Sequence, residues 1–217
     1  MKKIVLAAAG AMAALSGVAQ AEDWSGLYIG GHVGSTTRES EWLDVDGDWD
    51  DPGTIVTDDD ADATAIGAHA GYNWQFGNWV IGAQGGVTFS DLSETEVIFG
   101  DVAVDNSLSF MADARINAGY SFGAFLPYAT VGVAYSDLEH SWAEANDTSD
   151  SWADFGNETA LVYGVGLEYA FAESWSAGVE YLIYDFDSET SVNPNDYAMD
   201  VTTDVSAVQL VLNYRLN

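Results

Sequence analysis

Apolar and polar residues alternate along long stretches of the chain. The clearest case covers residues 107 to 122. A period of two is typical of a β-strand, because successive side chains point to opposite faces. Its apolar face comprises Leu108, Phe110, Ala112, Ala114, Ile116, Ala118, Tyr120 and Phe122. The pattern therefore predicts one long strand here, and similar alternation predicts strands through the rest of the chain.

A short aromatic pattern recurs four times and divides the chain into similar units. Its tyrosines, Tyr72, Tyr120, Tyr169 and Tyr214, are 48, 49 and 45 residues apart. The first three copies are each followed by a few small or polar residues, which predicts tight hairpin turns near residues 77–78, 123–124 and 172–174. The opposite connections are acidic and are predicted at residues 37–62, 91–106, 137–156 and 185–203. Four such units predict eight strands.

The polar face of these strands distinguishes two kinds of barrel. A soluble barrel turns its apolar face inward, whereas a transmembrane barrel turns it toward lipid. Here the polar face combines glycines with ionisable residues, and aromatic residues gather at the turn end, as in a membrane-interface girdle. The girdle is predicted to contain Trp24, Trp74, Phe76, Trp79, Phe122, Phe125, Phe171, Trp175 and Tyr214. We predict an all-β, eight-stranded antiparallel up-and-down transmembrane β-barrel, with four long acidic extracellular loops and short periplasmic turns. A soluble barrel is the alternative.

The amino-terminal segment predicts export. Lys2 and Lys3 precede an apolar run, and Ala19-Gln20-Ala21 is a small-residue cleavage site. We therefore predict a signal peptide at residues 1–21 and a barrel domain at residues 22–217.

Charge and composition exclude several partners and chemistries. The chain has 35 acidic residues against five basic ones and a formal net charge of −30. This balance argues against a nucleic-acid partner, because phosphate binding requires a cationic face. The absence of cysteine excludes disulfides and thiolate chemistry.

The predicted lumen contains ionisable groups of both signs. Arg115 and Arg215 fall on inward positions, as do Asp113, Glu168 and Glu180. An arginine buried without carboxylate partners carries a large desolvation penalty. We therefore predict an ion-pair network that plugs the barrel, since eight strands leave an interior that side chains just fill. Solvated polar groups in a wet interior are the alternative.

The first acidic connection contains closely spaced carboxylates. Asp44, Asp46, Asp48 and Asp50 alternate with other residues around Gly47. Hard cations such as calcium prefer oxygen ligands of this kind, although the spacing does not match the helix-loop-helix calcium motif. A solvated anionic surface is the favoured interpretation. Weak calcium binding is the alternative, and calcium would then be the only cofactor.

Catalytic chemistry is not indicated. His32 and His69 are predicted to face the lumen from adjacent strands, and His140 to lie in a loop. Ser35 is close to His32 in sequence but on the opposite face, so no nucleophile and base come together. Lumen histidines are more often hydrogen-bonded interior groups than catalysts. A lipid hydrolase or acyltransferase is the catalytic alternative.

Several segments carry a family resemblance. Residues 24–31, Trp-Ser-Gly-Leu-Tyr-Ile-Gly-Gly, resemble the opening of small alphaproteobacterial outer-membrane barrels, the OmpA-like transmembrane barrels of the RopB type. Residues 126–135, 165–171 and 212–215 are also similar to that family. The resemblance implies an outer-membrane barrel of a Gram-negative bacterium that has no catalytic activity. Some members of that family carry a porin-like label.

These observations together predict a non-enzymatic protein that supports envelope integrity and surface exposure, with a plugged polar lumen. A porin-like channel for ions or small solutes is the alternative, and adhesion or divalent-cation binding through the loops is the third. We expect outer-membrane lipids and the barrel-insertion machinery as partners, and a monomer.

Overall fold

The chain forms a closed antiparallel barrel. The structure is a computed structural model, and it describes residues 23–45, 53–98, 102–137, 139–144, 152–155, 159–192 and 198–216. The eight strands of its wall are β1 Gly26–Asp44, β2 Ile55–Phe76, β3 Trp79–Ile98, β4 Val102–Tyr120, β5 Phe125–Ser136, β8 Thr159–Ala172, β9 Trp175–Phe186 and β11 Ala198–Leu216. They pair around the ring in this order, and β11 pairs with β1 to close it. The predicted fold and strand number are confirmed.

Three short strands extend the wall at the loop end of the barrel. They are β6 Glu139–Glu144, β7 Trp152–Phe155 and β10 Glu189–Val192. β6 pairs with β4 and β7, and β10 pairs with β11. His140, predicted to lie in a loop, is therefore in β6. No helix among the described residues is long and apolar enough to cross a bilayer.

The predicted turns are confirmed, but the predicted loop boundaries are wrong. β2 and β3 are joined through residues 77–78, where Gly77 adopts a φ of 64°, and β8 and β9 through residues 173–174. The opposite connections are much shorter than predicted, because β1 continues to Asp44 and β2 begins at Ile55. Acidic residues alternate there with residues that still face inward, so strand pairing continues through segments whose charge suggested loops.

A β-bulge breaks the alternation of β4. Leu108 was predicted to face outward with Phe110, but it is fully buried in the interior together with Met111. The β3–β4 register shifts between Phe89 and Leu92, and this moves the inward face by one position. The Asp137 carboxylate accepts hydrogen bonds from the backbone N–H groups of Ser109 (3.0 Å) and Phe110 (2.7 Å), which holds the bulge in place.

Substitution of Asp137 by Ala should loosen this bulge. Two backbone N–H groups lose a charged acceptor, so we expect the free energy of unfolding to fall by about 1–2 kcal/mol. Urea titration of the refolded barrel measures this change. Asp137→Asn retains one side-chain oxygen and should cost less, whereas equal stability of Asp137→Ala and the unmodified chain would contradict this role.

The outer wall is apolar, as predicted for a lipid-facing surface. Outward residues such as Ile66, Ile116 and Leu210 are 62–63% exposed. Aromatic side chains contact each other at the turn end, including Trp79 with Tyr120 at 5.2 Å between ring centroids. Trp24 is an exception to the predicted girdle, because it is 1% exposed and lies inside the turn-end mouth.

Candidate functional site

The interior of the barrel is the candidate functional site, and a buried ion pair lies in it. Arg115 on β4 donates through Nε to Asp113 Oδ1 (2.8 Å), and its Nη1 lies 3.5 Å from Glu180 Oε1 on β9. All three side chains are almost fully buried, at 2–4% exposure. Because β4 and β9 are not neighbours in the ring, this contact bridges separate parts of the wall.

Glu180 is the centre of a wider hydrogen-bonded group. Tyr128 Oη donates to Glu180 Oε1 (2.5 Å), and Gln209 Nε2 donates to Glu180 Oε2 (2.5 Å). Tyr128 lies on β5 and Gln209 on β11, so four strands contribute side chains to this group. Each donor offsets part of the cost of burying the carboxylate.

The other two residues of the predicted network have different contacts. Glu168 accepts a hydrogen bond from Ser176 Oγ (2.8 Å). Arg215 donates to the backbone carbonyls of Asp23 (2.8 Å) and Glu173 (2.8 Å), and its guanidinium lies 5.2 Å from the Trp24 ring centroid. The structure thus brings Asp113, Arg115 and Glu180 together, whereas these contacts place Arg215 at the turn end.

Asp23 precedes β1 at this same end. The backbone N–H of Ser25 donates to its carboxylate (2.9 Å), and this hydrogen bond, with a smaller contribution from Arg215, lowers the pKa of Asp23. The carboxylate therefore remains ionised beside the turn-end mouth.

His32 and His69 lie side by side on the inner wall. Their Nδ1 atoms are 3.3 Å apart. His32 Nε2 lies 2.9 Å from Thr88 Oγ1, and His69 Nε2 lies 2.6 Å from Asn213 Oδ1. Both histidines face the lumen as predicted, and both are hydrogen-bonded.

Apolar side chains also fill the lumen, which the sequence did not predict. Toward the loop end, one cluster joins side chains of five strands, and Ala61 and Ala63 of β2 pack against it. β2 lies opposite β8 in the ring, so this cluster crosses the lumen. Its buried members are Leu108, Met111, Ala134, Ala160, Val162, Leu182, Tyr184, Phe186, Val205 and Ala207. At the turn end, Trp24, Val80, Leu126 and Ala170 form a second cluster.

Arg38 and Trp42 are inner-wall residues that sequence reasoning missed. Both are buried, at 0% and 1% exposure, on the loop-end half of β1. They share the even-numbered face of Tyr28 and His32, so the alternation of β1 was the signal. The acidic character of residues 39–62 led us to place Arg38 in a loop instead.

The proposed calcium residues lie mostly outside the described part of the chain. Asp44 is buried, and its backbone N–H donates to the Thr54 carbonyl (2.9 Å). Asp46, Asp48 and Asp50 are outside the described residues. Among the described residues, no group of three or more His, Asp or Glu side chains could hold a metal ion.

Glycines make room for the inward tyrosines. A Cβ on Gly71 would lie 2.4 Å from Tyr28 Oη, and a Cβ on Gly166 would lie 2.3 Å from Tyr128 Cζ. The two rings therefore lie against bare backbone on the inner wall.

The sequence matches the profile described as "Outer membrane protein beta-barrel domain" over residues 4–215. A 31 kDa outer-membrane immunogenic protein of Brucella melitensis is 25% identical over 242 aligned positions, which cover 99% of this chain and 100% of that protein. A 22 kDa outer membrane protein of Rhizobium leguminosarum is 31% identical over 131 residues, which cover 60% of this chain and 53% of that protein.

A solved structure shows the same fold. The outer membrane protease OmpT from Escherichia coli has a TM-score of 0.50 and 8% identity, over 88% of this chain and 97% of that chain. With a profile match over most of its length and relatives that are outer-membrane proteins, this chain belongs to the outer-membrane protein β-barrel domain family and is located in the outer membrane of a Gram-negative bacterium.

Proposed function

We propose that the protein is a non-catalytic structural component of the outer membrane, with a lumen plugged by its own side chains. The observation that carries this proposal is the apolar cluster that joins opposite walls of the barrel. On the turn-end side of this cluster, Arg115 and Glu180 bridge β4 and β9. Apolar side chains that pack across a lumen leave water and ions no continuous polar path.

This packing weighs against a porin-like channel. Such a channel needs polar groups along its whole length. Leu182, Tyr184 and Phe186 on β9 are instead buried in the apolar cluster, at 0–2% exposure.

The contacts of the histidines favour a non-catalytic interior. The chain of contacts from Thr88 through His32 and His69 contains two histidines and ends on the amide of Asn213, whereas a serine-type triad has one histidine and ends on a carboxylate. The Thr88 hydroxyl is only 4% exposed, so a substrate could reach it only through the packed lumen.

The partners in this proposal are those of a simple integral barrel. The ring closes through β1 and β11, so its strand pairing needs no second copy, and we propose a monomer. Outer-membrane lipids would cover the apolar wall, and the barrel-insertion machinery would assemble it. The acidic loop end would be a solvated anionic surface exposed to other cells, with weak calcium binding there as the alternative.

Deletion of the gene tests the proposed role in envelope integrity. We expect the deletion strain to take up a hydrophobic dye faster and to become more sensitive to detergent, because a membrane protein that reinforces the envelope is missing. A plasmid copy of the unmodified chain should restore the barrier, whereas Arg115→Met, which weakens the barrel, should restore it less well. Unchanged permeability in the deletion strain would contradict the proposed role.

A further inference from the structure

We propose that His32 and His69 form a binding site for a divalent transition metal of the Zn²⁺ class inside the barrel. The ring centroids are 5.5 Å apart and the planes differ by 15°. The two Nδ1 atoms are much closer, at 3.3 Å, so the Nδ1 corners of the rings point toward each other. Two Zn–N bonds of about 2.0–2.1 Å at a tetrahedral angle separate the nitrogens by about 3.3 Å.

The outer nitrogen of each ring is held by an oxygen. Asn213 Oδ1 accepts from His69 Nε2, so the Nδ1 atom of neutral His69 carries a free lone pair. The Thr88 hydroxyl can likewise accept from His32 Nε2. Metal-binding histidines are usually oriented in this way by an oxygen on the other ring nitrogen.

The two Nδ1 atoms face each other in a buried site. With the proton of His32 on Nδ1 they form a hydrogen bond, and with that proton on Nε2 both lone pairs are open to a cation. His32 is 5% exposed and His69 is 7% exposed. The nearby ion-pair group contributes two carboxylates, Asp113 and Glu180, against the single guanidinium of Arg115. Their net negative charge favours a bound cation.

A repeated sequence motif builds the site. β1 carries Gly30-Gly31-His32, and β2 carries Gly67-Ala68-His69. The antiparallel register places His32 opposite Gly67 and His69 opposite Gly30. A Cβ on Gly67 would lie 2.2 Å from His32 Nε2, and one on Gly30 would lie 2.4 Å from His69 Nε2. Each ring therefore lies over the glycine of the opposite strand.

The two histidines would be the protein ligands, and water would complete the coordination. Imidazole suits Zn²⁺, Cu²⁺ and Ni²⁺, whereas Ca²⁺ and Mg²⁺ prefer oxygen ligands. The site is thus chemically distinct from the acidic connections, which would bind the hard cations.

Metal titration of the folded barrel tests this proposal. The mature chain is refolded in detergent with and without Zn²⁺, and bound zinc is measured after dialysis against a Ca²⁺-containing buffer that saturates the carboxylates. We expect one retained Zn²⁺ per chain. His32→Gln and His69→Gln should lose it, whereas His140→Ala is the matched histidine control and should retain it. The proposal would be overturned if the unmodified chain and all three variants retained equal amounts of zinc. It would also be overturned if the unmodified chain retained no zinc, whether or not Zn²⁺ was present during refolding.

Two further measurements separate metal ligation from a merely structural role. Asn213→Ala should weaken zinc binding about 10- to 100-fold, and Asn213→Asp, which keeps the accepting oxygen, should restore much of it. X-ray absorption at the zinc edge is measured on the unmodified protein, so its result does not depend on whether a variant folds. We expect nitrogen ligands at about 2.0–2.1 Å. A shell of oxygen alone would mean that the histidines share only a proton, and the metal site would be rejected.

Discussion

Substitution of Arg115 by Met should lower the free energy of unfolding by about 3–5 kcal/mol, the cost of leaving buried charges without their partner. Asp113 and Glu180 contact this guanidinium and are themselves almost fully buried. Methionine has a similar length and no charge, so it fills part of the space but neutralises neither carboxylate. Urea-induced unfolding of the refolded protein in lipid vesicles measures the change.

A double-mutant cycle distinguishes the lost ion pair from lost packing. Glu180→Gln removes the second charge while keeping the oxygen that accepts from Tyr128. If Arg115 and Glu180 act together, the double variant should lose less stability than the sum of the two single variants. Additive losses, or an Arg115→Met protein as stable as the unmodified chain, would contradict a coupled pair.

Substitution of Gly166 by Ala should cost about 1–3 kcal/mol or prevent folding, although it adds one methyl group. The new Cβ would lie 2.3 Å from Cζ of Tyr128, and the ring cannot retreat without moving its hydroxyl from Glu180. The fraction of protein that resists unfolding in a gel-shift assay measures folding, and urea titration measures stability.

Gly31→Ala is the matched control. Its Cβ would meet no atom closer than 3.5 Å, so this variant should fold and unfold like the unmodified chain. In a Tyr128→Ala background the cost of Gly166→Ala should nearly vanish, because the obstructing ring is absent. A cost that persists in that background would show that backbone flexibility, rather than space for Tyr128, requires the glycine.

The barrel itself was predictable because its signal is repeated in every strand. Within each strand, the apolar residues recur with a period of two, and the glycines lie on the other face. Both features are local, and together they determine which face meets lipid. The inward positions of Asp113, Arg115 and Glu180 followed from the same alternation. The small diameter of an eight-stranded barrel then predicted that inward charges would meet, but not which ones, since Arg215 was included in the network and contacts turn-end carbonyls instead.

The errors have two physical causes. The first is a change of register that sequence periodicity does not reveal, since the bulge beside Ser109 moves Leu108 from the outer face to the interior. The second is the use of charge as a loop signal. Strands pair through backbone groups, so outward carboxylates such as Glu39 and Glu41 do not end β1.

The contents of the lumen were only partly predictable for a related reason. Contacts across a lumen join residues from distant strands, and no local pattern encodes which inward side chains meet. The cluster around Leu182 and Phe186 is an example, because both faces of β9 are rich in apolar residues near the loop end. Trp24 was likewise assigned to the girdle by its residue type, although it closes the turn-end mouth.

Single-channel conductance across a planar bilayer tests the packed lumen most directly. A chain of residues 22–217 is refolded, and a heat-dependent gel shift establishes that the protein added to the bilayer is folded. We expect no conductance steps from folded protein, because apolar side chains from opposite walls meet inside the barrel. As a positive control, replacement of Leu182, Tyr184 and Phe186 by Gly should open a path and produce steps. Reproducible steps from the unmodified, folded chain would contradict the plug and identify the protein as a channel.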